Sequence, residues 1–441
     1  MRDDGIIEFK CKKCRKTAEN IDKHINIRVY KMDMILEISV ENYLSIREKI
    51  TLSLEATATK KLRENVSRIR DNDILKTAAI YGPNASGKTN IIKAIVFLWN
   101  MVKKSHTFNI DNLIPIVPFK LDEASISKPS RFEIIFIVKG IRYKYGFSCD
   151  EKKVIDEYLH YWPKGRLAVI FSRKKTDEFE FRTQISRQKL IEKQMTKNSL
   201  YLSRATQLGY EKTKDAYNFI VNSITVNQYV GITEAIERIR KDPLLRDRII
   251  STLKRIDFGG IENIKTEKKK GKSSEIKFKI DKGDFSIENS KSQDVDITLV
   301  KTIHLMKSGK TAEFDLEEES DGTRKSIFML VYIFETLEKG GAMFIDELES
   351  SLHPDICKFL VRMFNDGKNK KSQFVFTTHN TNLLDNRIFR RDQIYICSKR
   401  PNENTILESL SDYDFREESN FENIYLSGRV GGVPNIDESD A

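Results

Sequence analysis

No run of about 18 apolar residues occurs in this chain, so no membrane-spanning helix and no membrane partner are expected. The amino terminus lacks an apolar segment followed by small residues, so no secretory signal is expected. Cysteine is scarce, five in 441 residues, too few for a disulfide framework and consistent with a reducing cytoplasm. Cys11 and Cys14 form a Cys-x-x-Cys inside a basic cluster, with His24 as the one further nearby ligand type. A zinc site needs four ligands, so residues 1–33 read as a loosely ordered extension. A zinc half-site completed by a second subunit is the alternative. Met34 followed by a strand pattern reads as a natural chain start. No internal repeat is visible.

What is present suits a soluble globular protein: 39% apolar and 32% charged residues. At 441 residues the chain can bury a large core and is expected to form two lobes, or a core with a large insertion. The net charge of +11 favours polyanions (nucleic acid, nucleotides or an acidic partner), or serves solubility alone. Net charge does not locate a patch.

One stretch organises the rest. Gly82-Pro83-Asn84-Ala85-Ser86-Gly87-Lys88-Thr89 fits G-x-x-x-x-G-K-[ST] without a gap. A phosphate chain is bulky and multiply charged, so holding it requires converging backbone N–H groups and side chains kept clear. Glycines permit the turn and the close approach, and the following helix aims its positive end at the phosphates. Lys88 is placed to reach the β- and γ-phosphates, and the Thr89 hydroxyl to ligate Mg²⁺. Residues 75–81 read as a short buried strand and 90–102 as an apolar helix, which is the context the motif requires. The chain is therefore expected to bind ATP with Mg²⁺.

Residues 35–43 and 48–54 read as a strand pair. Residues 59–74 are charged, with no obvious strand. Runs at 131–138, 142–149, 154–162 and 167–172, separated by turn signals, read as an antiparallel meander. Residues 186–258 carry apolar side chains at three- and four-residue spacing and read as helical. Residues 265–272, Lys-Thr-Glu-Lys-Lys-Lys-Gly-Lys, read as a basic loop: a solvated hairpin tip, with a phosphate-backbone contact as runner-up. Strands are expected at 276–280, 296–305 and 311–316. The last third reads as α/β, with helices at 323–337 and 355–364 and strands at 342–345, 373–377 and 392–397.

A second group of residues completes a nucleotide site. Ser320-Asp321-Gly322-Thr323 opens directly onto a helix. Asp346-Glu347 ends an apolar strand. Asp346 can hold the Mg²⁺ shell and Glu347 can orient the attacking water. Ser350-Ser351-Leu352-His353-Pro354 follows, and His379 ends the next strand, where an imidazole can hydrogen-bond the γ-phosphate. Each piece alone is a weak signal; their order carries the weight.

That order resembles the ABC-type ATPase heads of the SMC and RecF group. The resemblance implies an α/β fold: a mixed sheet flanked by helices, an antiparallel β-subdomain and an inserted helical arm. The 258 positions between Lys88 and Asp346 suit such an insertion. The implied division is an extension over 1–33, an ATPase lobe over 34–183, a helical arm over 184–260 and a second lobe over 261–441. Ser320, Gly322 and Thr323 would belong to the signature motif, Ser350-Ser351 to the D-loop, and His379 would be the switch histidine. With residues 34–43, 346–354 and 425–434, the likeness narrows to stand-alone ATPases related to the OLD (overcoming-lysogenization-defect) proteins, over about residues 34–436. Such proteins are often the ATPase subunit of two-gene phage-defence or abortive-infection systems.

The resemblance implies a homodimer or higher homo-oligomer closed by ATP, an effector protein encoded nearby, and DNA as a further candidate partner. A RecF/SMC-like DNA-repair ATPase and a nucleotide-gated scaffold with little turnover are the alternatives. Two departures stand out. No glutamine occurs between Lys88 and Gln184, so the usual Q-loop residue lacks a candidate. Only 62 residues follow His379, too few for the Toprim nuclease domain of OLD proteins. Asp412-Tyr413-Asp414 then reads as an ordinary loop, and no nuclease activity is expected.

Overall fold

The computed structural model describes residues 32–226, 232–256, 260–273, 276–281, 284–289, 293–400, 404–416 and 419–433. Cys11, Cys14 and His24, Gly259 and Pro434 lie outside the described residues.

The strand Thr77–Tyr81 is buried at all five positions, as a strand covered on both faces must be. It sits inside a six-stranded sheet whose order is Ile224–Val226, Gly341–Ile345, Ser372–Thr378, Thr77–Tyr81, Ile394–Lys399, Thr405–Ser409. The first five strands run parallel and the last antiparallel. Alternation along the central strand splits its side chains between two cores. Ala78 and Ile80 join the core that holds the helix Lys88–Lys104 and the antiparallel sheet. Ala79 and Tyr81 join the core that holds the helices Asp321–Lys339 and Pro354–Asn365.

The second sheet has seven antiparallel strands in the order Glu178–Phe181, Ala168–Lys174, Val154–Trp162, Ile141–Cys149, Ser130–Val138, Met34–Glu41, Ile50–Ser53. Its inner face is aromatic: Phe132 lies 4.8 Å from Phe97 of the loop-bearing helix, and Phe136 stacks 4.6 Å from Phe219. This α/β architecture has the mixed, helix-flanked sheet and the antiparallel β-subdomain expected from the sequence.

The buried Gln373 amide joins the two sheets. Its oxygen accepts from the Ile35 N–H at 2.7 Å, and its nitrogen donates to the carbonyls of Ile35 and Leu75 at 2.9 and 3.1 Å. Leucine there strands three buried backbone groups. The expected loss is about 3 kcal/mol or more, read as a lower urea midpoint; an unchanged midpoint would contradict the bridging role.

Three local expectations need correction. Residues 265–272 are not a loop: the strand Ile261–Ser273 pairs antiparallel with Gln293–Leu305, placing Lys265 opposite Lys301. Glu313 pairs with both lysines, and Ile261 and Ile264 anchor the strand in the core, so the basic composition is tolerated in a strand. The charged stretch 59–74 contains a small hairpin, Val66–Ile69 with Asn72–Leu75. There Asp73 pairs with Arg63 and Arg68 at 3.1 and 3.0 Å. These two cations hold the Asp73 carboxyl below its ordinary range, outweighing its desolvation. Within 186–258, Ile224–Val226 is a strand, too short to disturb a helical periodicity. Helices fill Ile185–Glu192, Tyr201–Gln207, Glu211–Ser223, Ile232–Lys241 and Pro243–Arg255. No helix of the described residues is long and apolar enough to cross a membrane.

Candidate active site

The phosphate-loop residues leave the carboxyl end of Thr77–Tyr81 and enter the helix Lys88–Lys104. The glycines are required by space. A Cβ on Gly82 would lie 2.1 Å from the Cys397 carbonyl oxygen, and one on Gly87, whose φ is +109°, 2.1 Å from Thr405 Oγ1. Thr405 Oγ1 also donates to the Ser86 carbonyl at 2.9 Å, and the Ser45 hydroxyl accepts from Asn90 at 2.7 Å. The neighbouring strand and the first hairpin thus clamp the loop into shape. Lys88 is buried, and its Nζ donates to the carbonyls of Gly82 and Pro83 at 2.8 and 2.9 Å.

The sheet order brings the other residues to the same edge. Asp346 and Glu347 follow Gly341–Ile345, and His379 follows Ser372–Thr378, the strand between it and the phosphate-loop strand. Ligands of open α/β sheets bind at such carboxyl ends. The charges of these groups act on one another. Burial pulls the Lys88 pKa down, while Cys397, Asp346, Glu349 and Glu347 oppose it. Burial lowers the His379 pKa, the Lys88 charge lowers it further, and Glu349, Glu347 and Asp346 oppose the shift. The imidazole is therefore neutral at pH 7.

Thr377 fixes the acidic pair: its hydroxyl donates to Asp346 Oδ1 at 2.5 Å and accepts from the Glu347 N–H at 2.8 Å. Glu347 has a φ of +50°, a conformation disfavoured for a non-glycine residue. Glu349 accepts from the His379 N–H. Ser320 caps the helix Asp321–Lys339, accepting from the Thr323 N–H at 3.1 Å. A Cβ on Gly322 would lie 2.6 Å from the Ser351 carbonyl oxygen, so the start of this helix packs on the segment after Asp346-Glu347. Lys325 ties the same segment down through the Ser350 carbonyl at 2.6 Å.

Every predicted residue from Gly82 to Thr89, with Asp346, Glu347 and His379, thus meets at one edge. Ser320, Gly322 and Thr323 stand on the neighbouring helix, and among the described residues no hydrogen bond joins them to the phosphate loop. Sequence reasoning missed Thr377, Glu349, Ser45 and Thr405. Only the adjacency of Thr377 and Glu349 to His379 and Glu347 offered a signal.

The residues present fit a magnesium–nucleotide complex. The cradle is one that a Cβ at either glycine would fill. Ser86 Oγ and Glu349 Oε2 are buried without a hydrogen-bond partner. The Thr89 hydroxyl and Asp346 carboxylate are hard oxygen donors suited to Mg²⁺.

Residues 78–385 match the family model described as "AAA domain, putative AbiEii toxin, Type IV TA system". The chain belongs to this family. By family it is a P-loop protein of the AAA type. No curated protein sequence matches it. Among solved structures it is similar to the SMC head domain from Thermotoga maritima, at 12% identity over 85% of this chain and 98% of that chain, with a TM-score of 0.38. It is also similar to the SMC head bound to the C-winged helix domain of ScpA, at 14% identity over 85% of this chain and 97% of that chain, with a TM-score of 0.41. A third is the SMC head with an extended coiled coil bound to the C-terminal domain of ScpA, derived from Pyrococcus furiosus, at 13% identity over 86% and 96%, TM-score 0.39.

Proposed function

We propose that this chain hydrolyses ATP with Mg²⁺ and that ATP closes a homodimer, whose opening and closing regulates an effector protein in phage defence. The observation that carries the reading is the convergence of Lys88, Asp346, Glu347 and His379 at one sheet edge, close enough to perturb one another. That no hydrogen bond of the described residues ties Ser320, Gly322 or Thr323 to the phosphate loop supports a site completed by a second subunit. Two ATP molecules would then lie between residues 82–89 of one subunit and 320–323 of the other.

In this reading the loop amides and Lys88 bind the triphosphate and orient it. Thr89 and Asp346 would hold the Mg²⁺, which would supply charge neutralisation for the triphosphate. Glu347 orients the attacking water and accepts its proton. Neutral His379 hydrogen-bonds the γ-phosphate, and Glu349 fixes the backbone that carries it. Residues 184–260, between the lobes over 34–183 and 261–441, are the proposed route by which dimer closure reaches a partner.

Turnover measured with and without DNA tests this reading. Steady ATP hydrolysis indifferent to DNA is expected. Strong DNA stimulation would favour a RecF/SMC-like maintenance ATPase, and absent turnover with intact ATP binding would favour a nucleotide-gated scaffold. The histidine adds a pH signature. Because His379 titrates below the ordinary 6.5, it stays neutral until the pH falls under that value. Turnover should therefore be flat from about pH 8 to 6.5 and decline below it. The decline should disappear in His379→Gln, whose remaining activity has no group titrating there.

A further inference from the structure

We propose that the glycine-rich turn at residues 428–433 is a wall of the nucleotide site and that Arg429 contacts the phosphates bound at the same subunit's phosphate loop. This rests on the ATP reading above.

The turn is held from several sides. The Gly431 N–H donates to the Gly428 carbonyl at 3.0 Å, closing a turn with Arg429 and Val430 at its centre. Gly428, Gly431 and Gly432 have φ values of +72°, +71° and +74°, left-handed conformations that glycine adopts without strain. The Tyr425 hydroxyl donates to the Gly432 carbonyl at 2.5 Å, and the Tyr413 hydroxyl shares its proton between Glu408 at 2.8 Å and the Val430 carbonyl at 3.1 Å. The Tyr425 ring lies 6.0 Å from that of Tyr81, the residue before the phosphate loop.

This turn lies beside the loop itself. A Cβ on Gly432 would lie 2.7 Å from Ile396 Cγ2 and 3.8 Å from the Gly82 Cα. The backbone of the turn therefore backs the first glycine of the phosphate cradle. Val430 is buried, which leaves Arg429 as the exposed side chain at the centre of the turn. Among the described residues Arg429 has no hydrogen-bond or ion-pair partner.

An exposed arginine alone usually serves only solubility. Two features distinguish this one: its carrier is held beside Gly82, and the carboxylates and triphosphate together carry more charge than Lys88, Lys325 and one Mg²⁺ offset. Asp346, Glu349 and Glu347 act on the Lys88 charge, and Glu349 and Glu347 on that of Lys325, whose ammonium is already hydrogen-bonded to the Ser350 carbonyl. A triphosphate adds further negative charge. A planar guanidinium binds phosphate oxygens two at a time, and an arginine beside a phosphate loop stabilises that charge.

The test measures affinity for ATP, ADP and AMP in the full chain, with wild type, Arg429→Ala, Arg429→Lys and Gly432→Ala. Arg429→Ala is expected to weaken ATP and ADP roughly 10- to 100-fold, with AMP changed least and the melting temperature unmoved. Arg429→Lys should recover part of the loss. Gly432→Ala should weaken ATP by displacing the turn from Gly82. Equal ATP affinity in Arg429→Ala and wild type overturns the inference alone. So does an equal loss for all three nucleotides accompanied by a lower melting temperature, which marks a structural role. If wild type itself fails to bind ATP, the underlying ATP reading falls, and the inference with it.

Discussion

Replacing Lys88 with alanine is expected to weaken ATP binding about 100-fold, roughly the worth of two charge-assisted hydrogen bonds. The fold should survive. Lys88 is buried and its pKa is pulled down chiefly by desolvation, so its charge is held in the site against a solvation cost. Alanine removes that cost, while the carbonyls of Gly82 and Pro83 lose the donor they share. The two effects oppose each other, and the net change in stability should stay within about 1 kcal/mol. Titration with ATP beside a thermal melt separates binding from folding. Wild-type affinity in Lys88→Ala would show that residues 82–89 do not hold the triphosphate.

Glu347→Gln is expected to divide binding from chemistry. Glutamine keeps the shape and the backbone N–H bond to Thr377, but it cannot accept a proton from water. Positioned general bases contribute on the order of 10²–10⁴-fold. Turnover should drop by about that factor, while ATP affinity stays near wild type. An equal loss in Glu347→Gln and Lys88→Ala affinities would instead assign Glu347 to binding. A variant that still turns over at the wild-type rate would move the base elsewhere, with Glu349 as the next carboxylate in range of His379.

Much of this site was legible because its residues are local signals repeated in a fixed order. The glycines and lysine at 82–88 announce a cradle, and Asp346-Glu347 and His379 each end an apolar run. Their meeting follows from parallel strands placed side by side, which the pattern of buried runs suggests. The supporting residues were not legible. Thr377 is thirty positions from the Glu347 amide it accepts from, and Thr405 is 319 positions from the Ser86 carbonyl. A hydroxyl carries no periodicity, so only the folded register brings it into view.

The strand over Ile261–Ser273 escaped for another reason. Its lysines imitate a solvated loop, and the carboxylate that pairs with Lys265, Glu313, lies on a different strand. The three-residue strand Ile224–Val226 is shorter than any period that could reveal it. The glycine-rich motif at 428–433 was visible as a likeness, but its reason was not. That reason is its place beside Gly82, 350 positions away.

The most direct test of the composite site is the size of Glu347→Gln in solution, measured by light scattering with Mg²⁺, without and with ATP. Because this variant should bind ATP and not discharge it, ATP should convert it to a stable dimer. A Ser320→Arg change in the same background should abolish the shift while leaving ATP affinity intact. If saturating ATP leaves the mass and hydrodynamic radius of Glu347→Gln unchanged, the site is not shared between two copies of the chain.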